Sequence, residues 1–368
     1  MTRYRLLAAL LALSVTASPF DDKKKKEEIT QVLELPKDPP ASMAAETSRL
    51  VFQVSPLSAK GLLSQQVRDA LKALLKNAGG ATIVRLRAFV AGSGDLRRVQ
   101  AIVSEVFTEK KLALPALSVV QVGALPMVGA QVVVESIAVA KKAMNPLGLV
   151  FVSGQAATSD TLVEKVAPLA TRAVSGLKTA LDSTGSAPAD VLRITCFSSS
   201  LDDYPALRAA VETTYHPAAL NFVQLQRGAV RSVVECEAVA KLQRKVDAPV
   251  KFDNPAGLNK SEDYSQLALV TAPRLLLTGT QIAYGYEDSD ARLAFQRLTK
   301  VLEQGGSSPK EVVVASVYPL STSLGALVRK IRFEFFDKAR PPASTLLAFE
   351  GLPAMKAGFA LDVIAIAK

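Results

Sequence analysis

Three times along the chain, a short apolar run gives way to helix-spaced apolar positions and then to further apolar runs. The first cycle opens at Leu50–Val54. Leu62, Leu63, Val67, Leu71, Leu74 and Leu75 then fall on one face of a helix over Leu62–Leu75. Ala78-Gly79-Gly80 ends it, because glycine takes the left-handed C-terminal position without a Cβ penalty. A strand is predicted over Thr82–Val90 and a second helix from Asp95, a good N-cap, to Phe107, before two closing strands. The second cycle places strands at Gly148–Val152 and Val191–Ser198, and a helix over Leu162–Leu181 stopped by Gly185. Its second helix runs from Asp202 and Asp203 to Tyr215, and closing strands fall near Ala219–Leu225 and Arg231–Ala240. In the third cycle, strands at Leu267–Thr271 and Arg274–Thr278 precede a helix at Asp290–Leu302, stopped by Gly305-Gly306. A strand at Glu311–Tyr318, a helix at Thr322–Phe336 and closing strands near Ser344–Glu350 and Gly358–Ala367 complete it.

The last strand of each cycle repeats a pattern: Val132–Ala138 reads VVVESIA, Val234–Ala240 reads VECEAVA and Leu361–Ala367 reads LDVIAIA. A carboxylate, Glu135, Glu235 or Asp362, interrupts each apolar run, and Leu-Pro precedes two of them, at Leu125-Pro126 and Leu352-Pro353. Strand, helix, strand, helix and two strands make an α+β layer, repeated as modules over 46–142, 143–246 and 263–368. Each sheet carries helices on one face only, so the three bare faces must cover one another. A closed pseudo-threefold arrangement within one monomeric chain does this most economically. Residues 18–45 and 247–262, polar and Pro-bearing, read as linkers.

The ends and the charge change the picture little. Arg3 and Arg5, the apolar Leu6–Thr16 and the small-x-small Val15-Thr16-Ala17 read as a signal peptide over 1–17. That predicts export to the periplasm or the extracellular space. No other run approaches the ~18 apolar residues that span a bilayer. Loss of the two arginines takes the formal net charge from +10 to +8. The basic residues are spread over all three modules, and the dense Lys23–Lys26 block runs straight into Glu27 and Glu28. No aromatic-basic motif accompanies them, so no nucleic-acid partner is expected. With one histidine, His216, and no CxxC, neither a metal site nor a His-based triad is expected. His216, just past a helix, reads as a C-terminal cap. Cys196 and Cys236 lie in strand-like segments; they pair if those strands are neighbours, whereas buried free thiols are the commoner arrangement.

Several motifs resemble the reactive intermediate deaminase (RidA) family, also described as endoribonuclease L-PSP. They are Val152-Ser153-Gly154-Gln155, Leu277-Thr278-Gly279-Thr280-Gln281, Tyr264-Ser265-Gln266, and the Leu-Pro followed by the acidic last strand. The resemblance implies a chorismate-mutase-like fold, trimeric assembly and ligand sites between adjacent modules, with no cofactor. It places Ser153, Gln155, Thr278 and Gln281 among binding residues. It also implies an arginine nine residues before the Leu-Pro proline, gripping a substrate carboxylate, and a glutamate on the last strand that positions the attacking water. Carried over, the arginine position falls on Leu117, Leu220 and Ser344. None is an arginine, and Arg340, four residues before Ser344, reads as surface. The first module also has Val54-Ser55-Pro56 where the others have Ser-Gly-Gln or Thr-Gly-Thr-Gln.

An apolar side chain cannot replace a guanidinium in such a pair, a loss on the order of 1.5–3 kcal/mol of binding. The main expectation is therefore a degenerate member that binds a small molecule or a partner between modules without standard imine hydrolysis. Two alternatives stand beside it. One is an enamine/imine deaminase with altered carboxylate recognition, using Glu235, Asp362 or Glu135 as base; the other is a structural interaction module. In the structural alternative the three carboxylates hydrogen-bond backbone and hydroxyl groups at module junctions.

Overall fold

The computed structural model describes residues 36–368 apart from 93, 162–164 and 228–230. The signal-like segment 1–17 lies outside the described residues. Strands β1 (Ser42–Glu46) and β2 (Leu50–Val54) are followed by α1 (Leu63–Asn77), β3 (Thr82–Ala91), α2 (Leu96–Glu109), β4 (Ala116–Val122) and β5 (Val132–Val139). Next come β6 (Leu149–Thr158), α3 (Val166–Thr184), β7 (Val191–Ser198), α4 (Tyr204–Glu212), β8 (Ala219–Gln224) and β9 (Val233–Lys241). Four short strands follow: β10 (Val250–Asp253), β11 (Leu267–Val270), β12 (Arg274–Thr278) and β13 (Gln281–Tyr284). The chain closes with α5 (Asp288–Gln304), β14 (Val312–Pro319), α6 (Thr322–Ile331), β15 (Ala343–Leu346) and β16 (Ala357–Ile366). Asp95 caps α2 by accepting the Arg97 amide, and Gly185 ends α3 with φ 76°. The last helix is shorter than its apolar spacing predicts. A 3₁₀ turn at Arg332–Glu334 replaces its final turn, which lets Phe335 stack on Phe295 with ring centroids 5.1 Å apart.

The strands form three sheets, ordered β2-β5-β3-β4, β10-β11-β6-β9-β7-β8, and β1-β12-β16-β14-β15 with β13 also on β16. In each, β3, β7 or β14 runs antiparallel to the closing strand (β5, β9 or β16) and parallel to the end strand (β4, β8 or β15). The segments expected to be plain linkers each contribute a strand. Ser42–Glu46 pairs with Arg274–Thr278 of the third sheet, and Val250–Asp253 pairs with β11, which itself joins β6 of the second sheet. Polar composition hid this, because edge strands tolerate polar residues.

Each sheet packs two helices on one face, giving three separate apolar cores, with residues such as Val67, Leu177 and Leu298 at their centres. The opposite faces meet one another. Phe52, Phe151 and Leu277, from three different sheets, share one apolar cluster, while Phe89, Phe197 and Tyr318 share another with Phe349. Cys196 and Cys236 face each other across β7 and β9 and are disulfide-bonded, so the commoner arrangement of free thiols does not hold. Among the described residues, no helix is long and apolar enough to cross a membrane.

Candidate functional site

Between the two shared apolar clusters lies a layer of charge, largely covered by sheet faces. Arg85 and Arg87 project from β3, Arg193 from β7, Glu135 from β5, Glu237 from β9 and Asp362 from β16, and most are buried. Arg87 is the hub. Its Nε and Nη2 donate to Glu135 at 2.9 and 2.6 Å, and Nη2 also donates to Glu237 at 2.7 Å. Arg193 reaches Glu237 at 3.2 Å, and Arg85 pairs with Asp362. Three positive and three negative groups balance, as buried charges must.

The remaining carboxylate lone pairs are filled in a head-to-tail ring. Ser118 on β4 donates to Asp362 at 2.6 Å, Asn221 on β8 to Glu135 at 2.8 Å, and Thr345 on β15 to Glu237 at 2.6 Å. Each of these end strands thus serves the closing strand of a different sheet. Tyr318 adds a bond to Asp362 at 2.9 Å and Thr195 one to Glu135 at 2.7 Å. Burial pushes the Glu237 carboxyl up, but the Arg87 and Arg193 guanidiniums and the Thr345 hydroxyl outweigh it and hold it at about 2. Glu135 is likewise held below its ordinary value: burial opposes this, and Arg87 and Arg193 prevail. The void at the centre measures about 30 Å³, the share of one water in the liquid and far below a substrate's needs.

The pairing registers correct the correspondence read from the strand repeat. Glu135 pairs opposite Arg87, Glu237 opposite Thr195 and Asp362 opposite Ser316, each at the same distance from a register irregularity in β3, β7 or β14. The matching segments are therefore Val132–Ala138, Val234–Ala240 and Phe359–Ala365. Glu235 is not the counterpart of Glu135 and Asp362; it stands one step along the same face, where the other sheets carry Val133 and Ala360. The carboxylate there is 8 % exposed and makes no hydrogen bond or ion pair among the described residues. Burial, then the neighbouring Glu237, push it up to about 8. It lies directly over the Gly154 backbone, where any Cβ would overlap its oxygens.

The other sequence-predicted residues are mostly spent on structure. Ser153 donates to the Ser265 carbonyl at 2.6 Å and accepts the Ser344 amide at 2.8 Å, while Gln155 donates to Gln266 at 2.7 Å. Thr278 accepts the Val363 amide at 2.9 Å, and Gln281 pairs in register with Leu361. Leu117 belongs to the first helix–sheet core, with its carbonyl accepting the Thr280 amide. Ser344 donates to the Ala315 carbonyl at 3.0 Å. Leu220 lines a groove of about 450 Å³, with Ser55, Asn77, Arg208, Glu212 and His216. His216 is exposed on that groove. Arg85, Arg87, Arg193 and Glu237 were not singled out from sequence. The signal for them was two arginines spaced by two in an otherwise apolar strand, TIVRLRAFVA, and Glu-Cys-Glu in another. Among the described residues, no group of His, Cys, Asp and Glu could hold a metal ion.

The family model described as endoribonuclease L-PSP matches residues 59–140 and again 141–247. The chain belongs to this family. Solved structures of similar proteins include a protein of the conserved Rid family from Yersinia pestis, 19 % identical over 32 % of this chain and 99 % of that one, with TM-score 0.30. Yeast Mmf1 is 21 % identical over 33 % of this chain and 98 % of its own, with TM-score 0.23. A YjgF-family protein from Neisseria meningitidis is 13 % identical over 32 % and 95 %, with TM-score 0.24. No curated protein sequence matches the chain. Against the L-PSP family's implied pattern, this chain has no guanidinium at Leu117, Leu220 or Ser344.

Proposed function

We propose that this L-PSP family member is an exported, single-chain pseudo-trimer of three tandem modules, 46–142, 143–246 and 263–368, that binds a small molecule between modules without the family's standard imine hydrolysis. The observation that carries this reading is where the charges are. Glu135, Glu237 and Asp362 are each saturated by buried arginines and hydroxyls, around a void too small for a substrate. The groove lined by Ser55, Arg208, His216 and Leu220 has the volume of a small-ligand site. The disulfide supports an oxidising compartment, and the internal use of all three bare sheet faces supports a monomer. The test is ammonia release from enzymatically generated 2-aminoacrylate: the rate should equal that in buffer, and acceleration would overturn the reading. Solution mass should be that of one chain.

A second reading rests on Glu235. A buried, unpartnered carboxyl poised near neutrality over a glycine backbone has the properties of a general acid/base. If ammonia release is accelerated and Glu235→Gln removes the acceleration, this deaminase reading replaces the first.

A further inference from the structure

A second groove, of about 580 Å³, opens at the far ends of α1 and α2, among residues outside the inter-sheet junctions. Lys72 and Lys76 of α1 and Lys110 and Lys111 after α2 stand along it, and no acidic residue lines it. None of the four makes an ion pair or side-chain hydrogen bond among the described residues. Glu109, the adjacent acid in sequence, lies outside the lining. The walls are apolar: Phe107 is buried beneath, and Leu112 is 44 % exposed.

Cations near a helix C-terminus complement the helix dipole, which accounts for Lys76 and Lys110. It does not account for a lysine rather than a glycine at position 111. The Leu112 amide donates to the Phe107 carbonyl and the Lys111 amide to the Thr108 carbonyl, both at 2.9 Å, which is a Schellman termination. Its left-handed residue is normally glycine, yet here it is Lys111 with φ 54°, alone among described non-glycine residues in having positive φ. A strained backbone at a site where a charge is displayed points to a role for that charge.

We infer that this groove binds a soluble anionic amphiphile, a carboxylate on an alkyl chain, with its head among the four lysines and its tail along Leu112. Charge complementarity selects the anion, because four like charges with no counter-ion repel one another until one arrives. The apolar wall selects the tail, since a bare inorganic anion leaves it wet.

Decanoate is the probe, titrated calorimetrically into the full-length protein, with decanol, inorganic phosphate and phosphatidylglycerol vesicles as comparisons. Decanoate should bind at one site per chain, more weakly as salt rises, and at least about tenfold more tightly than decanol or phosphate. Lys72→Gln combined with Lys110→Gln should weaken it about tenfold. Lys111→Gly should raise the unfolding midpoint while weakening decanoate, a pairing that a purely structural lysine would not give. Equal affinity for decanol or phosphate, binding confined to vesicles, or variants that bind decanoate like the parent would each overturn the assignment.

Discussion

Replacing Arg87 by Met removes the hub of the buried charge layer while keeping most of its volume. Arg87 makes three charge-assisted contacts at 2.6, 2.7 and 2.9 Å and is 5 % exposed. At about 1.5–3 kcal/mol each the gross interaction is roughly 5–9 kcal/mol. Part of it survives the change, because Arg193 stays 3.2 Å from Glu237 and 3.9 Å from Glu135. The expected net loss is about 4 kcal/mol, within the range for stranding buried partners. That is a large share of the ~5–15 kcal/mol that holds a typical protein folded. Urea unfolding followed by far-UV circular dichroism reads it directly, with Arg97→Met as control, because the Arg97–Asp95 pair lies on the surface. The pH dependence gives a second readout. Glu237 is depressed to about 2 in the folded state against about 4.3 unfolded, so its stabilisation is present above pH ~4.5 and lost as pH falls toward 2. Arg87→Met should flatten that acid limb. A variant within about 1 kcal/mol of the parent at pH 7, with its acid limb unchanged, would refute the layer's role as a stabilising network.

Glu235 carries the opposite sign. Its folded value near 8 lies above the unfolded one, so its ionisation destabilises the fold increasingly from pH ~4.5 to 8. Glu235→Gln should therefore gain more stability at pH 8 than at pH 5, seen as a larger urea-midpoint shift. Gly154→Ala should lower the thermal midpoint by displacing that carboxylate, and adding Glu235→Ala should restore part of the loss. Cys236→Ala opens a disulfide spanning 40 residues, a loss of about 4 kcal/mol in the chain-entropy model, measurable by urea unfolding with and without reductant.

Much of the architecture was legible in the apolar spacing, because helix and strand periods differ and each cycle carries its own stop signals. Gly185 and Asp95 act where local chemistry places them. Strand partners were less legible. Ser42–Glu46 finds its edge more than two hundred residues away, and nothing in SMAAE encodes that choice. The site was half legible. Acidic residues in apolar strands announce buried partners, but identifying Glu237 rather than Glu235 needs the register, and a slip of two leaves the facing unchanged. The arginines at 85 and 87 were visible as polar positions in a core strand; of their partners, Glu135 lies on the neighbouring strand, while Asp362 and Glu237 lie on other sheets.

The placement of β1 also sets a timetable. Its partner residues, Arg274–Thr278, are synthesised roughly 230 positions later. At about 5–20 residues per second, the first strand of the described structure waits on the order of 10–50 s before its ladder can form. The third sheet closes later still, because β12 in turn pairs with β16, Ala357–Ile366. Its completion ties one of the earliest stretches made to one of the last, so the strand that leads in synthesis is among the latest to settle.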